Sequence, residues 1–209
     1  MNFFSQNSAQ HREALLVALS PGSVSELSGL SEGQLDAMLE ELYQRGRQSW
    51  PDVELEPARY WRHVAERLRH DQPLHEQLEA LHAADLYLCC GCAEGDPRAI
   101  ARFEAHHGPA VVAALRKLRL QDAVVDDLAQ QVREKLLVGV NGAAPLIGQF
   151  AGRGRLASWV RVSAVNTAIK ALRGGRRELP AEDAFLEARG ASGDDPELRL
   201  LKQTYREEF

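Results

Sequence analysis

The chain has 209 residues, 44% of them hydrophobic and 26% charged, with a formal net charge of −5. A chain of this length buries roughly 70% of the surface it exposes when unfolded, so it needs neither disulfide nor metal to fold. These values exclude a disordered or fibrous chain, and the longest apolar runs, such as Leu15 to Leu19, fall far short of the ~20 residues of a membrane helix.

Met1 to Gln10 lack the basic segment and apolar core of a secretory signal. From there the chain reads as helices almost throughout. Ala14 to Leu19 form a short apolar run on a first helix, punctuated by Pro21 and Gly22. Ser31 and Gln34 have capping-box spacing, and Leu35, Met38, Leu39 and Leu42 then recur at helical spacing up to Gly46. Pro57 stands where a first-turn proline is tolerated, ahead of Trp61, Val64, Ala65 and Leu68. The pattern predicts one further helix from about Leu74 through Leu78 and Leu81 to Leu88. Asp96 and Pro97 open the next as N-cap and first-turn pair, and Gly108-Pro109 is expected to break it before Val111 to Leu118. Asp122 is the expected cap of a helix reaching Leu137. Gly139, Gly142, Pro145, Gly148, Gly152 and Gly154 then punctuate an irregular stretch. The last strong helix runs from Leu156 to Leu172, with Gly174-Gly175 as its stop. Glu178 to Asp195 read as an acidic flexible linker, and Pro196 starts a short helical stretch to Phe209. No segment alternates with period two, so the fold class is all-α.

Charge is distributed unevenly along this order. Residues 1–88 carry −7, residues 89–144 balance, residues 145–177 carry +7 without a single acid, and residues 178–209 carry −5. An acidic protein with one all-basic block points to a local polyanion site, whereas a merely solvated face intersperses both signs.

Motifs of enzymatic chemistry are absent. There is no glycine-rich loop ending in Gly-Lys-Ser/Thr and no His-Glu-x-x-His, and Gly152-Arg153-Gly154 lacks both the preceding strand and the third glycine of a phosphate loop. Cys89, Cys90 and Cys92 cannot staple a fold at such close spacing, and adjacent helical positions point about 100° apart. With no second Cys or His pair at finger spacing, they read as small buried thiols in a chain of the reducing cytosol. His106-His107, beside Gly108, are explained by the dipole of a helix end. No catalytic residue, metal or cofactor is expected.

Two segments stand out. On Val124 to Leu137, helical spacing puts Val125, Leu128, Val132 and Leu136 on a buried stripe, while Asp127, Gln130, Gln131 and Glu134 share another side. That side is either a binding face or simply solvated. On Phe150 to Arg173, an aromatic in a glycine-rich loop leads into a basic amphipathic helix, and aromatics with Arg and Lys hold single-stranded nucleic acid. Leu156 and Trp159 fit the core of that helix equally well.

In this order, and with Asp85-Leu86-Tyr87-Leu88 and Gly95-Asp96 upstream, the two segments resemble the second conserved region of bacterial sigma factors of the extracytoplasmic-function type. The resemblance spans about residues 84–177. It rests on the acidic pair and glutamine (Asp126, Asp127, Gln130), the aromatic and glycine loop (Phe150, Gly152), and the helix Trp159-Val160-Arg161-Val162-Ser163-Ala164-Val165-Asn166. It implies a helical bundle over residues 83–178, preceded by a helical N-terminal extension over 1–82. An acidic linker and the start of a truncated following domain occupy 179–209, where the family's helix-turn-helix domain is expected. Val162 departs from the basic residue the family often has four positions before the asparagine; Arg161 lies one place earlier.

The resemblance implies a cytoplasmic transcription-initiation factor, not an enzyme. Asp126, Asp127, Gln130, Gln131 and Glu134 would bind core RNA polymerase. Phe150, Arg153, Arg155, Trp159, Arg161, Asn166, Lys170 and Arg173 would bind promoter DNA, above all the single-stranded non-template strand. An anti-sigma factor is a further partner it leaves room for, and no membrane is involved. The alternative is a helical regulatory protein that binds polymerase or another partner through this module without initiating.

Overall fold

The computed structural model describes residues 3–19, 30–69 and 71–176, and among these every regular element is helical. The α-helices are α1 (Phe3–Ala18), α2 (Glu32–Ser49), α3 (Pro57–Ala65), α4 (Leu74–Glu79), α5 (Ala83–Ala93), α6 (Pro97–Arg116), α7 (Asp122–Leu137) and α8 (Leu156–Arg176). A short 3-10 turn, Leu146–Gln149, sits between the last two.

Local chemistry sets several starts. Ser31 and Gln34 close a reciprocal capping box on α2, with the Ser31 amide donating to Gln34 Oε1 at 2.8 Å. Pro57 occupies the first turn of α3, and Asp96 Oδ1 accepts the Arg98 amide at 2.7 Å to start α6.

Four boundaries differ from the sequence expectation. The single helix expected from Leu74 to Leu88 is two, α4 and α5, because the chain turns at Leu81-His82 and the His82 amide donates to Gly152 O at 2.8 Å. Gly108-Pro109 does not break α6, so His106 and His107 lie within the helix rather than at its end. An interior proline costs ~3 kcal/mol, and here it is tolerated because Phe103, Val111 and Leu115 bury one face on both sides of it. Gln121, not Asp122, stands at the cap of α7, without a side-chain cap bond. Helix α8 continues through Gly174-Gly175 to Arg176. The expected linker at Glu178 to Asp195 and the stretch from Pro196 to Phe209 lie outside the described residues.

Helix α5 is the axis of the fold. Ala83, Leu86, Tyr87, Leu88, Cys89, Cys90, Gly91 and Cys92 are all buried, and a helix apolar all round belongs inside. Helices α2 and α3 pack on it from the N-terminal side, with α1 laid across both, while α6 packs on it from the other side and carries α7 and α8. One buried cluster therefore runs from Leu15 to Ala168, across the boundary expected between residues 82 and 83. Tyrosines fasten the link between α2 and α3. The Tyr87 hydroxyl accepts the Leu55 amide and donates to Val53 O, both at 3.1 Å, and Tyr43 donates to Leu55 O at 2.5 Å.

Two glycines let the helices approach α5. A Cβ on Gly46 would sit 2.7 Å from the Tyr87 side chain, and one on Gly91 would sit 2.7 Å from Ala99 Cβ. Gly46→Ala is therefore expected to lower stability by ~1–3 kcal/mol, the usual cost of overpacking. Gly33→Ala, on the same helix with nothing within 4 Å, should be neutral or stabilising. Paired thermal melts check both, and equal melting temperatures for the two variants would contradict the close crossing.

Candidate functional site

The amphipathic pattern of α7 survives folding. Val125, Leu128, Val132 and Leu136 are buried, and Asp126, Asp127, Gln130, Gln131 and Glu134 are all exposed. Among the described residues, Asp126, Asp127 and Glu134 make no ion pair, whereas the neighbouring Arg133 makes a two-pronged contact with Glu104 of α6. At the end of the helix Val138 is 70% exposed.

The loop after α7 differs in character from its sequence reading. Phe150 is 0% exposed and meets the Trp159 ring edge-on at 5.7 Å, with Trp159 itself 3% exposed. Phe150, expected as a stacking residue on the loop, is thus a core aromatic, and Trp159 takes the core alternative. The physical reason is the apolar company around them: Ile147, Leu156 and Val160 are also fully buried, and a ring gains more by closing that core than by facing water.

The loop is held from the N-terminal side. The His82 amide donates to Gly152 O, Arg67 Nη2 donates to Gly148 O, and Arg153 Nη2 donates to Arg67 O at 2.8 Å. Gly152 has φ +74°, and a Cβ there would meet Leu81 Cδ2 at 3.1 Å. Asp85 of α5 supplies the start of α8, its Oδ2 accepting the Leu156 amide at 2.9 Å. A carboxylate satisfying an orphan N–H at a helix N-terminus is favoured by both the hydrogen bond and the dipole. A cavity of 280 Å³ opens beside these contacts, bounded by Arg67, Leu68, Gln77, Leu81, Ala151 and Arg153.

Helix α8 is buried nearly all round in its first half, through Val160, Val162, Ser163, Ala164 and Val165. Its exposed candidates are Arg161, Asn166 and Lys170, with Arg155 exposed just before the helix. At about 100° per residue, Asn166 and Lys170 lie about 40° apart, while Arg161 is about 140° from Asn166. The fold brings Asn166 and Lys170 to one face and leaves Arg161 beside α6. There its charge, after burial and together with His106, helps hold the His107 pKa below its ordinary value. Arg153 is engaged by the α3–α4 side; burial, then Arg69, depresses its pKa. The Arg173 side chain lies outside the described residues.

Arg67 was not legible in the sequence as part of this site, and Asp85 was legible only as a motif position without a role. Neither has a local pattern, since their partners are 81 and 71 residues away. The cysteines are free and buried, and burial pushes Cys90 and Cys92 up to about 12 and Cys89 well above its ordinary value. Among the described residues no group of His, Cys, Asp and Glu is placed to hold a metal, and no helix is long and apolar enough to cross a membrane. No protein-family model, curated protein or solved structure matches this chain.

Asp85→Ala is expected to lower stability by ~1 kcal/mol, the typical value of a helix cap, and to speed amide exchange in the first turn of α8. Asp85→Asn, which keeps an acceptor, should recover much of the loss; identical melting of all three proteins would remove the capping role. A second expectation concerns acid. His63 is buried on α3, and burial first, then Arg67, pulls its pKa from 6.5 down to about 3. A histidine kept neutral inside leaves stability intact above 6.5, and that stability drains as pH falls from 6.5 towards about 3. His63→Leu should therefore show a smaller drop in melting temperature than the parent between about pH 7 and about pH 4.

Proposed function

We propose that this chain is a transcription-initiation factor, akin to the second region of sigma factors, that binds core RNA polymerase and recognises and melts the upstream promoter element. One observation carries the reading. The outward face of α7 carries Asp126, Asp127, Gln130, Gln131 and Glu134 with no large apolar side chain among them, and α7 packs against α8, whose exposed positions among the described side chains are Arg161, Asn166 and Lys170. Two surfaces of opposite character on one bundle suit a protein partner on one side and a polyanion on the other. Asp126, Asp127, Gln130, Gln131 and Glu134 would meet polymerase. Arg155, Asn166 and Lys170 would meet DNA, the cations neutralising phosphate and Asn166 offering an amide to a base, with Arg161 on another side of α8. The chain would supply no catalytic residue to nucleotide addition.

A second reading is favoured by the burial of Phe150. With that ring inside, the module has no exposed aromatic on the loop to capture a base, as a polymerase-binding regulator that does not initiate would need none. Open-promoter formation, followed by permanganate reactivity of unpaired thymines, separates the two. Both readings require the α7 face. Asp127→Lys combined with Gln130→Ala is expected to weaken core polymerase binding by more than ~1 kcal/mol without loss of helicity, because interfaces concentrate energy in few residues. Undiminished affinity in a calorimetric titration would sink the assignment.

A further inference from the structure

Resting on the reading of Arg155 and α8 as DNA-facing, we infer that Arg67, in the N-terminal extension, is a positioning residue for loop 148–153, which leads into them. Residue 67 is joined to that loop in both directions. Its Nη2 donates to Gly148 O, and its own carbonyl accepts Arg153 Nη2 at 2.8 Å. Its Nη1 donates to His63 O, tying the same guanidinium back to α3, and Glu66 lies at 3.2 Å. The side chain is only 14% exposed, beside a partner carboxylate that is 60% exposed. A guanidinium in such a place is held by the carbonyls it reaches rather than by a buried counter-charge. Burial accordingly lowers its pKa.

The placement matters because of what lies between the contacts. Gly148 and Gly152 flank Phe150, and their carbonyls are held by Arg67 and by the His82 amide. Fixing the backbone on both sides keeps the Phe150 ring on Trp159 and gives the loop one shape. Affinity is lost when a segment must be ordered on binding, so a held loop presents Arg155 and the start of α8 to a strand with less cost. Only arginine suits the position. Its planar fork reaches His63 O and Gly148 O at once, whereas the single ammonium of lysine does not span both in a fixed geometry. The N-terminal extension, through Arg67 and His82, then sets the geometry of the loop that leads into the basic helix.

Hydrogen exchange and fork binding test this together, on the full chain. In Arg67→Met, the Gly148 and Phe150 amides, bonded to Pro145 and Ile147 carbonyls at 3.1 Å, should exchange about tenfold faster, while α7 amides keep their rates. Arg67→Lys should fall between. With core polymerase present, Arg67→Met should bind a pre-melted promoter fork about tenfold more weakly, with affinity for polymerase alone unchanged. Should Arg67→Met fail to fold, Arg153→Gln removes the reciprocal bond, and faster exchange of the same amides is expected. Unchanged loop exchange in these variants overturns the inference, as does faster exchange with equal or tighter fork binding. If the parent protein binds neither polymerase nor fork, it is the functional reading that fails, and the exchange rates alone decide whether Arg67 positions the loop.

Discussion

Burial of α5 on both sides is the constraint from which the rest of the structure follows. A helix with no polar face has no place on a surface, and this one brings three cysteines, two leucines and a tyrosine that require cover. Helices α2 and α3 supply it from one direction and α6 from the other, close enough that Gly46 and Gly91 leave no room for a methyl group. The two halves share one buried cluster. The N-terminal extension is therefore part of the same packed unit as the bundle it precedes, joined through a cluster that reaches from Leu15 to Ala168.

The few polar atoms at the edges of α5 connect this axis to the candidate site. Asp85 starts α8, and the amide of His82, just before α5, holds Gly152. Each substitutes a tertiary bond for one that the local chain does not offer, so the loop and the basic helix take their position from the buried helix α5. That relation explains why a glycine-rich stretch, which on its own has high conformational freedom, has one arrangement here. It also explains why Phe150 faces inwards: its neighbours on both sides are tied down from the N-terminal half, and the ring follows the backbone into the Trp159 environment.

Buried polar groups on that N-terminal side carry a cost that the fold meets in different ways. Trp61 Nε1 donates to His11 Nδ1 at 3.0 Å, joining α3 to α1, and His11 Nε2 lies 3.1 Å from Glu40 of α2. Burial nevertheless depresses the His11 pKa more than Glu40 raises it. His63 is held neutral by burial next to Arg67. Groups of this kind lose stability together in acid, while the exposed carboxylates of α7 bear little on folding and remain available for contact.

Elements whose chemistry is local were legible in the sequence. The capping box at Ser31, the proline turn at Pro57, the Asp96 cap and the α7 stripe of Val125, Leu128, Val132 and Leu136 each depend on residues three or four apart, which sequence spacing displays directly. Also legible were the all-helical class of the described residues, the burial of the cysteines, and the outward side shared by Asp127, Gln130, Gln131 and Glu134. Where tertiary contacts outweigh local preference, only the folded structure decided. Pro109 stays inside a helix because Phe103, Val111 and Leu115 bury one face of that helix, and the run from Leu74 to Leu88 divides because His82 gives its amide to a residue 70 positions away. Phe150 is apolar enough for either a loop tip or a core, and its choice depended on the Trp159 ring and on Arg67 holding Gly148 from a distant part of the chain. Sequence by itself determined which residues are polar, apolar or helix-starting; the three-dimensional arrangement determined which of them meet, since that depends on long-range packing that no local spacing records.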